Sequence, residues 1–180
     1  MNNDSKLIDR LKKLLALAGN NPSQSEAEAA MAKAQAIAVE NWDKAIGLLN
    51  SIVSDGGGTA DVYNLLGFSL RKSGDMANAL DFYLKALALD PGHAIALYNR
   101  ASILAGVGRP AEALDALEAA CAAKPGFAEA LFFKGNVLRS LRQPDAALKA
   151  YEAALLANPK HTVLRLSLNF GKSPTGNRAF

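Results

Sequence analysis

Residues 60–93 read ADVYNLLGFSLRKSGDMANALDFYLKALALDPGH, and the chain then repeats this pattern twice without a gap. Residues 94–127 read AIALYNRASILAGVGRPAEALDALEAACAAKPGF, and residues 128–161 read AEALFFKGNVLRSLRQPDAALKAYEAALLANPKH. Self-similarity at a fixed period of 34 residues is typical of solenoids, in which each repeat packs on its neighbours. These three blocks therefore decide the fold.

Small residues recur in the aligned blocks, and small side chains let two helix backbones approach closely. They occupy three columns: Gly67, Ala101 and Gly135; Ala79, Ala113 and Ala147; Ala86, Ala120 and Ala154. Bulky residues fill two further columns: Tyr83, Leu117 and Tyr151; Leu70, Leu104 and Leu138. Near the end of each block a proline ends the second helix, because proline cannot continue a helix (Pro91, Pro125 and Pro159). The pattern predicts two helices per block, with Gly74 and Gly108 in the turn between them.

This pattern resembles the tetratricopeptide repeat family. The first block matches the family signature at Tyr63, Leu66, Gly67, Leu70, Ala79, Tyr83, Ala86 and Pro91. The later blocks depart from it at Arg100 and Lys134, and Arg142 stands where a turn glycine is expected. The resemblance implies an all-α fold, a right-handed α-solenoid of antiparallel helix pairs with a concave groove. Its repeats are predicted at residues 60–93, 94–127 and 128–161.

The chain before the repeats predicts an N-terminal helical hairpin at residues 5–39. Its first helix has one apolar face, formed by Leu7, Leu11, Leu14, Leu15 and Ala18. The sequence reads KKLLALA at residues 12–18, EA at 26–27 and AKAQ at 32–35. With this pattern, residues 6–38 also resemble a small bacterial and phage domain family of unknown function. A competing interpretation makes residues 26–39 the first helix of a degenerate repeat, and the two interpretations are compatible. Residues 40–54 are then predicted as a degenerate half-repeat helix, followed by a flexible glycine-rich joint at residues 55–59.

After the last repeat, residues 162–170 satisfy both the spacing of a strand and that of a helix. The last repeat of a solenoid leaves an apolar face that needs a lid. We therefore expect a capping helix at residues 162–170 and a flexible tail at residues 171–180.

Composition narrows the class of protein. The chain has 180 residues, half of them hydrophobic, and 35 alanines, which together exclude wholesale disorder and favour helices. The single cysteine, Cys121, excludes an intramolecular disulfide, so we expect a cytoplasmic location. No apolar run is long enough to span a membrane. The net charge of +3 equals the contribution of residues 162–180, so the nearly neutral repeats do not favour nucleic acid.

Candidate catalytic residues are few. His93 and His161 occupy the same turn column, 68 residues apart, and are interpreted as turn residues. Cys121 lies among alanines and is interpreted as a packing residue. We therefore expect a protein that is not an enzyme and that needs neither a cofactor nor a metal.

The resemblance implies binding of a protein or peptide in a groove lined mainly by the first helix of each pair. The expected groove residues are Asn64, Phe68, Arg71, Tyr98, Asn99, Ser102, Phe132, Asn136 and Arg139. Aromatic rings supply contact area, asparagine can pair with a peptide backbone, and arginine can bind a carboxylate. We therefore expect the chain to be a non-catalytic tetratricopeptide scaffold or adaptor.

Two known classes of such grooves have defining residues that this sequence does not match as a set. Asn99 matches the clamp that grips chaperone C-termini, but Asn64, Phe68, Glu129 and Phe133 do not match its other positions. The asparagine ladder of protein O-GlcNAc transferases is also missing. Two alternative functions stay open: a nucleic-acid-associated or phage-related accessory protein acting through the hairpin, and a regulatory repeat fragment of a larger enzyme such as a glycosyltransferase.

Overall fold

A computed structural model describes residues 6, 9–10, 13–16 and 42–159. The chain divides into two compact units, residues 1–96 and 97–180, and each unit is considered by itself. Most of the hairpin expected at residues 5–39, the capping helix expected at 162–170 and the tail expected at 171–180 lie outside the described residues.

Helices and the turns between them make up the described part of the chain, which confirms the all-α fold of helix pairs. The described residues between 6 and 16 are helical. From residue 42 onwards the helices are α1 (Trp42–Ser54), α2 (Ala60–Ser73), α3 (Met76–Leu89), α4 (Ala94–Gly106), α5 (Pro110–Ala123), α6 (Ala128–Ser140) and α7 (Pro144–Ala157).

The turn inside each helix pair has the same hydrogen bonds in all three blocks. Gly74 and Gly108 adopt the left-handed conformation there, with φ of 97° and 77°. Arg142 takes the same conformation with φ of 59°. In each turn two backbone N–H groups donate back to the end of the first helix, as Gln143 does to the carbonyl of Leu138 at 2.9 Å. The missing glycine therefore leaves the turn unchanged and places an arginine in a conformation that favours glycine.

The glycines at residues 56–58, in the predicted glycine-rich joint at residues 55–59, form a hydrogen-bonded turn. Gly56 is left-handed, with φ of 83°, and the N–H of Gly57 donates to the carbonyl of Ile52 at 2.9 Å. A side chain on Gly58 would collide with the hydroxyl of Tyr63. Thr59 then begins α2 by accepting a hydrogen bond from the N–H of Val62 at 3.3 Å. Glycine suits these positions because Gly56 has a positive φ, and because Gly57 and Gly58 leave no room for a Cβ.

Each unit has an apolar core. In the first unit, Leu15 is only 3 % exposed. It lies in one apolar cluster with residues of α1 and α2, which include Leu49, Ile52, Leu65 and Leu66. The N-terminal segment therefore contributes to the same core as the first repeat.

In the second unit a smaller cluster joins α6 and α7. It consists of Leu138, Ala147 and Ala150, with Leu114 of α5 and Tyr151 packed against it. Helices α5, α6 and α7 thus contribute to one core built mainly of alanine and leucine.

Among the helices in the described ranges, none is both long and apolar enough to cross a membrane.

Candidate functional site

The nine expected groove residues lie on the first helices of the three pairs. Three of them, Asn64, Phe68 and Arg71, are on α2 in the first unit. The other six are on α4 and α6 in the second unit: Tyr98, Asn99, Ser102, Phe132, Asn136 and Arg139.

Phe68 is the centre of an aromatic and cationic cluster on α2. Its ring meets the ring of Trp42 edge-on, with centroids 5.7 Å apart. The guanidinium of Arg71 lies 5.2 Å from the Phe68 centroid, and the ammonium of Lys72 lies 5.6 Å from it. Cations at such distances are attracted by the electron-rich ring face. Both cations therefore already have a partner inside the protein.

Arg71 also lies beside Tyr83 of α3. Burial raises the pKa of the Tyr83 hydroxyl to about 12, and the adjacent Arg71 partly offsets this effect. Tyr83 is consequently a neutral phenol at physiological pH.

Two of the expected groove residues have buried side chains. Asn64 is 0 % exposed and Asn99 is 4 % exposed. Asn64 lies one turn before Gly67, where α3 comes close to α2, so the helix pair encloses it. In this conformation Asn64 and Asn99 therefore offer almost no surface to a ligand.

The most complete group of candidate residues lies on α6 and α7. The ring centroids of Phe132 and Tyr151 are 5.6 Å apart. The hydroxyl of Tyr151 donates a hydrogen bond to Oδ1 of Asn136 at 2.8 Å. Burial raises the pKa of Tyr151, and the charge of Arg139 partly offsets this. We call Phe132, Asn136, Arg139 and Tyr151 the α6 site.

Tyr98 belongs to a second aromatic cluster in the same unit. Its ring lies 5.4 Å from that of Phe127 and 5.9 Å from that of Phe133, between centroids. Ser102 is half-buried one turn further along α4. The sequence pattern predicts no site that contains Phe127, and it predicts only a bulky packing role for Tyr151. The 34-residue repeat alone cannot distinguish an aromatic residue that packs between helices from one that belongs to a binding site.

His93, which the sequence predicts to be a turn residue, makes two contacts that connect helices. Its Nδ1 accepts a hydrogen bond from the backbone N–H of Ala96 at 3.1 Å, at the beginning of α4. Its Nε2 lies 3.0 Å from Oδ1 of Asp61. Because Nδ1 accepts, Nε2 carries the proton and donates it to the carboxylate. His93 thereby ties the first turn of α4 to that of α2.

Cys121 is half-buried on α5. Burial raises the pKa of its thiol, with Lys134 acting in the opposite direction and Glu118 in the same one. Lys134 is itself paired with Glu118 at 2.8 Å. A raised pKa keeps the thiol protonated and weakly nucleophilic, as expected of a packing residue.

In the described ranges, no three histidine, cysteine or acidic residues lie where they could hold a metal ion.

Comparison with protein families gives three matches. Residues 58–126 and residues 98–162 each match a model described as tetratricopeptide repeat. Together these two matches span more than half of the chain. Residues 6–38 match a model described as a protein of unknown function (DUF2786). The matches confirm both resemblances drawn from the sequence.

Solved structures of similar fold include YrrB, described as a TPR protein with an unusual peptide-binding site. It is 22 % identical, covers 91 % of this chain and 86 % of its own, and has a TM-score of 0.66. MamA from Desulfovibrio magneticus RS-1 is 21 % identical, covers 94 % and 84 %, and has a TM-score of 0.66. The first TPR of Spaghetti (RPAP3), bound to the HSP90 peptide SRMEEVD, is 26 % identical, covers 62 % and 88 %, and has a TM-score of 0.59. No curated protein sequence gives a significant match.

Proposed function

The chain belongs to the tetratricopeptide repeat family, and on that premise we propose that it is a protein-interaction module whose α6 site binds a peptide segment of a partner protein. The family generally serves as a non-catalytic scaffold for protein interactions. The proposal goes further by assigning the contact to Phe132, Asn136 and Tyr151.

The hydrogen bond between Tyr151 and Asn136 is the observation that carries this proposal. The hydroxyl engages Oδ1 of the amide at 2.8 Å, which fixes the orientation of the Asn136 side chain. The amide nitrogen, Nδ2, then remains as a donor of up to two hydrogen bonds. An extended peptide presents one carbonyl acceptor per residue, so an amide held in this way suits its backbone.

Phe132 supplies the apolar part of the same surface. It is half-buried, and its ring is held by the tilted contact with Tyr151 at 5.6 Å. A ring that is already immobilised by a neighbour loses little conformational entropy when a ligand packs on it. Aromatic anchors of this kind commonly carry a large share of the energy of an interface.

The similar structures support a peptide as the class of ligand. The first TPR of Spaghetti (RPAP3) is bound to a peptide, and YrrB is described by its peptide-binding site. The residues of the chaperone clamp are not matched here, so the proposal does not extend to the same peptide. A cytoplasmic location and the alternatives of a nucleic-acid partner or an enzyme fragment stay predictions from the sequence.

The test is a selection of peptides from a random phage-displayed library on the full chain, followed by fluorescence anisotropy with the enriched peptides. Asn136→Ala removes the donor, and we expect about a tenfold loss of affinity, as for a hydrogen bond of about 1.4 kcal/mol. Tyr151→Phe keeps the Asn136 amide but removes the hydrogen bond that orients it, so the loss of affinity should be smaller than for Asn136→Ala. Asn50→Ala is the matched control, because Asn50 is an exposed asparagine on α1.

Two outcomes would overturn the proposal. In the first, no peptide is enriched on the full chain. In the second, enriched peptides bind Asn136→Ala and Phe132→Ala as tightly as they bind the unaltered chain. Circular dichroism on each variant separates a loss of binding from a loss of fold.

A further inference from the structure

We propose that the α6 site recognises an acidic side chain of its peptide through Arg139 and Arg142, which we call the arginine pair. This inference rests on the proposed function and names the chemistry of its ligand. Arg139 lies three residues after Asn136 on α6, and Arg142 follows in the turn that leads to α7.

Both side chains of the arginine pair are exposed. Within the described ranges, no carboxylate lies within ion-pairing distance of either one. Arg109, in the turn of the preceding pair, shows the contrast, because its guanidinium makes two hydrogen bonds to Glu112 at 2.5 Å and 2.6 Å. The arginine pair thus has positive charge that its described surroundings do not neutralise.

Arg142 occupies a backbone position at which the other two turns use glycine. Its φ of 59° lies in the region adopted by Gly74 and Gly108. A side chain with a Cβ is disfavoured in that region, and the backbone hydrogen bonds of the turn, such as the one from the N–H of Arg142 to the carbonyl of Arg139 at 3.0 Å, are the ones that the two glycine turns also make. The chain therefore keeps a guanidinium where glycine would give a more stable turn, which indicates a use for the charge outside the fold.

Comparison with α2 shows why the arginine pair, rather than Arg71, is assigned to a ligand. The repeat period aligns Arg71 with Arg139 and Phe68 with Asn136. Arg71 lies over the Phe68 ring at 5.2 Å, and its Nε is buried. On α6 an amide replaces that ring and the arginine is exposed. Only the α6 arrangement, among the described first helices, combines an exposed arginine with an oriented amide.

The chemistry of these groups suits an aspartate or glutamate within an extended segment. A guanidinium can form two parallel hydrogen bonds with one carboxylate. Asn136 would donate to the peptide backbone while Arg139 binds the carboxylate of a nearby side chain. Arg142 adds a second charge at the end of the same helix, which favours encounter with an acidic segment.

The test uses two pools of synthetic decamer peptides with equal aromatic content. One pool contains aspartate and glutamate, and the other has asparagine and glutamine in their place. Each pool is made with a free C-terminal carboxylate and with an amidated one. Binding to the full chain is measured by fluorescence anisotropy at low and at high salt.

We expect the acidic pool to bind more tightly, with or without amidation, and its advantage to shrink at high salt because exposed charges are screened. Arg139→Gln and Arg142→Gly should each reduce that advantage about fivefold. Arg109→Gln, the matched control, should leave it unchanged, because the charge of Arg109 is already neutralised by Glu112. Arg142→Gly should at the same time raise the melting temperature, which excludes misfolding as the cause of its weaker binding.

Several results would overturn the inference. If both pools bind equally, or if Arg109→Gln weakens binding as much as Arg139→Gln, the arginine pair does not read an acidic side chain while the proposed function stands. If only the free C-terminal carboxylate matters, the recognised group is the chain end. If no pool binds at all, the proposed function fails together with the inference.

Discussion

The ring of Tyr83 on α3 lies directly against the backbone of α2 at Gly67. A methyl group on Gly67 would come within 2.8 Å of Cε1 of that ring and within 3.0 Å of the carbonyl oxygen of Ala79. The same relationship recurs between Gly135 and Tyr151, whereas Ala101 and Leu117 occupy the two columns in the middle repeat. A glycine on the first helix thus faces a tyrosine on the second, and where the first helix has an alanine the second has the smaller leucine.

Replacing Gly67 with alanine should destabilise the first unit. The added Cβ meets a buried ring and a backbone oxygen, and neither can move without disturbing the helix pair. Overpacking usually costs about 1–3 kcal/mol, from which the better helix propensity of alanine subtracts about 1 kcal/mol. Urea denaturation followed by the fluorescence of Trp42, the single tryptophan, measures the change.

Gly47→Ala provides the control for that experiment. Gly47 lies inside α1, and a Cβ there would meet no atom within 4 Å. It should therefore raise the free energy of unfolding by about 0.5–1 kcal/mol. If Gly67→Ala had the same effect as Gly47→Ala, the close contact with Tyr83 would be refuted.

Tyr83 should make stability depend on pH in the alkaline range. The folded chain holds the Tyr83 proton up to about pH 12, because burial raises its pKa. The unfolded chain loses that proton near pH 10. Ionisation therefore favours the unfolded state between these values, and the free energy of unfolding should fall as the pH rises, by about 2 kcal/mol.

Urea denaturation at pH 8 and pH 11 tests this for the unaltered chain and for Tyr83→Phe. The variant cannot ionise at this position, so its stability should fall less between the two pH values. At pH 8 the two proteins should be nearly equally stable, because the Tyr83 hydroxyl makes no hydrogen bond of standard geometry within the described residues. Equal losses in both proteins at pH 11 would contradict the prediction.

His93 should stabilise the beginning of α4 and its connection to Asp61. His93→Ala removes the acceptor for the N–H of Ala96 and leaves Asp61 without this partner. We expect a loss of about 1–2 kcal/mol, mostly the loss of a helix cap. His93→Asn keeps an oxygen that can cap the helix, so it should be less destabilised than His93→Ala.

A double-mutant cycle with Asp61→Ala isolates the contact between the two side chains. If His93 and Asp61 interact as the 3.0 Å distance indicates, the double variant should be less destabilised than the sum of the single variants. Strict additivity in urea denaturation would mean that the contact contributes nothing to stability.

Leu15 should be as important for the first unit as a core residue of the repeats. It is 3 % exposed and packs on α1 and α2. Leu15→Ala should lower the free energy of unfolding by about 2–3 kcal/mol, the usual cost of a cavity left by a buried leucine. Trp42 fluorescence reports the transition, since Trp42 packs against the same core.

Leu156→Ala is the matched control, because Leu156 is 83 % exposed on α7. Its effect should stay within about 0.5 kcal/mol. If Leu15→Ala were equally mild, the N-terminal segment would be a separate module rather than part of the core beside the first repeat.

The repeat period predicted much of the architecture. The prolines correctly indicated where the second helices end, since α3, α5 and α7 each stop two residues before one. Gly74 and Gly108 correctly indicated the turns, because glycine is favoured where φ is positive. Such features depend on the local backbone, so a single sequence carries them.

The candidate site was predicted less well. The period places Asn64 on the first helix but does not say how closely α3 approaches, so its burial was missed. The hydrogen bond from Tyr151 to Asn136 joins residues fifteen positions apart and depends on how α7 lies against α6. The glycine run at residues 56–58 likewise did not show that these residues form a turn that contacts Ile52 and Tyr63.

The helix pairs, their turns and the family could be predicted from the sequence alone, because helix propensity, proline and a repeated small-residue pattern act over one or two helical turns. Which polar side chains reach the surface, and which are oriented by a partner, depends on how the helices pack against each other. Asn64 and Asn136 are both asparagines on first helices, yet one is enclosed and the other is half-buried with its amide held by Tyr151. Burial and hydrogen bonding of that kind are properties of neighbouring helices, and no local pattern encodes them.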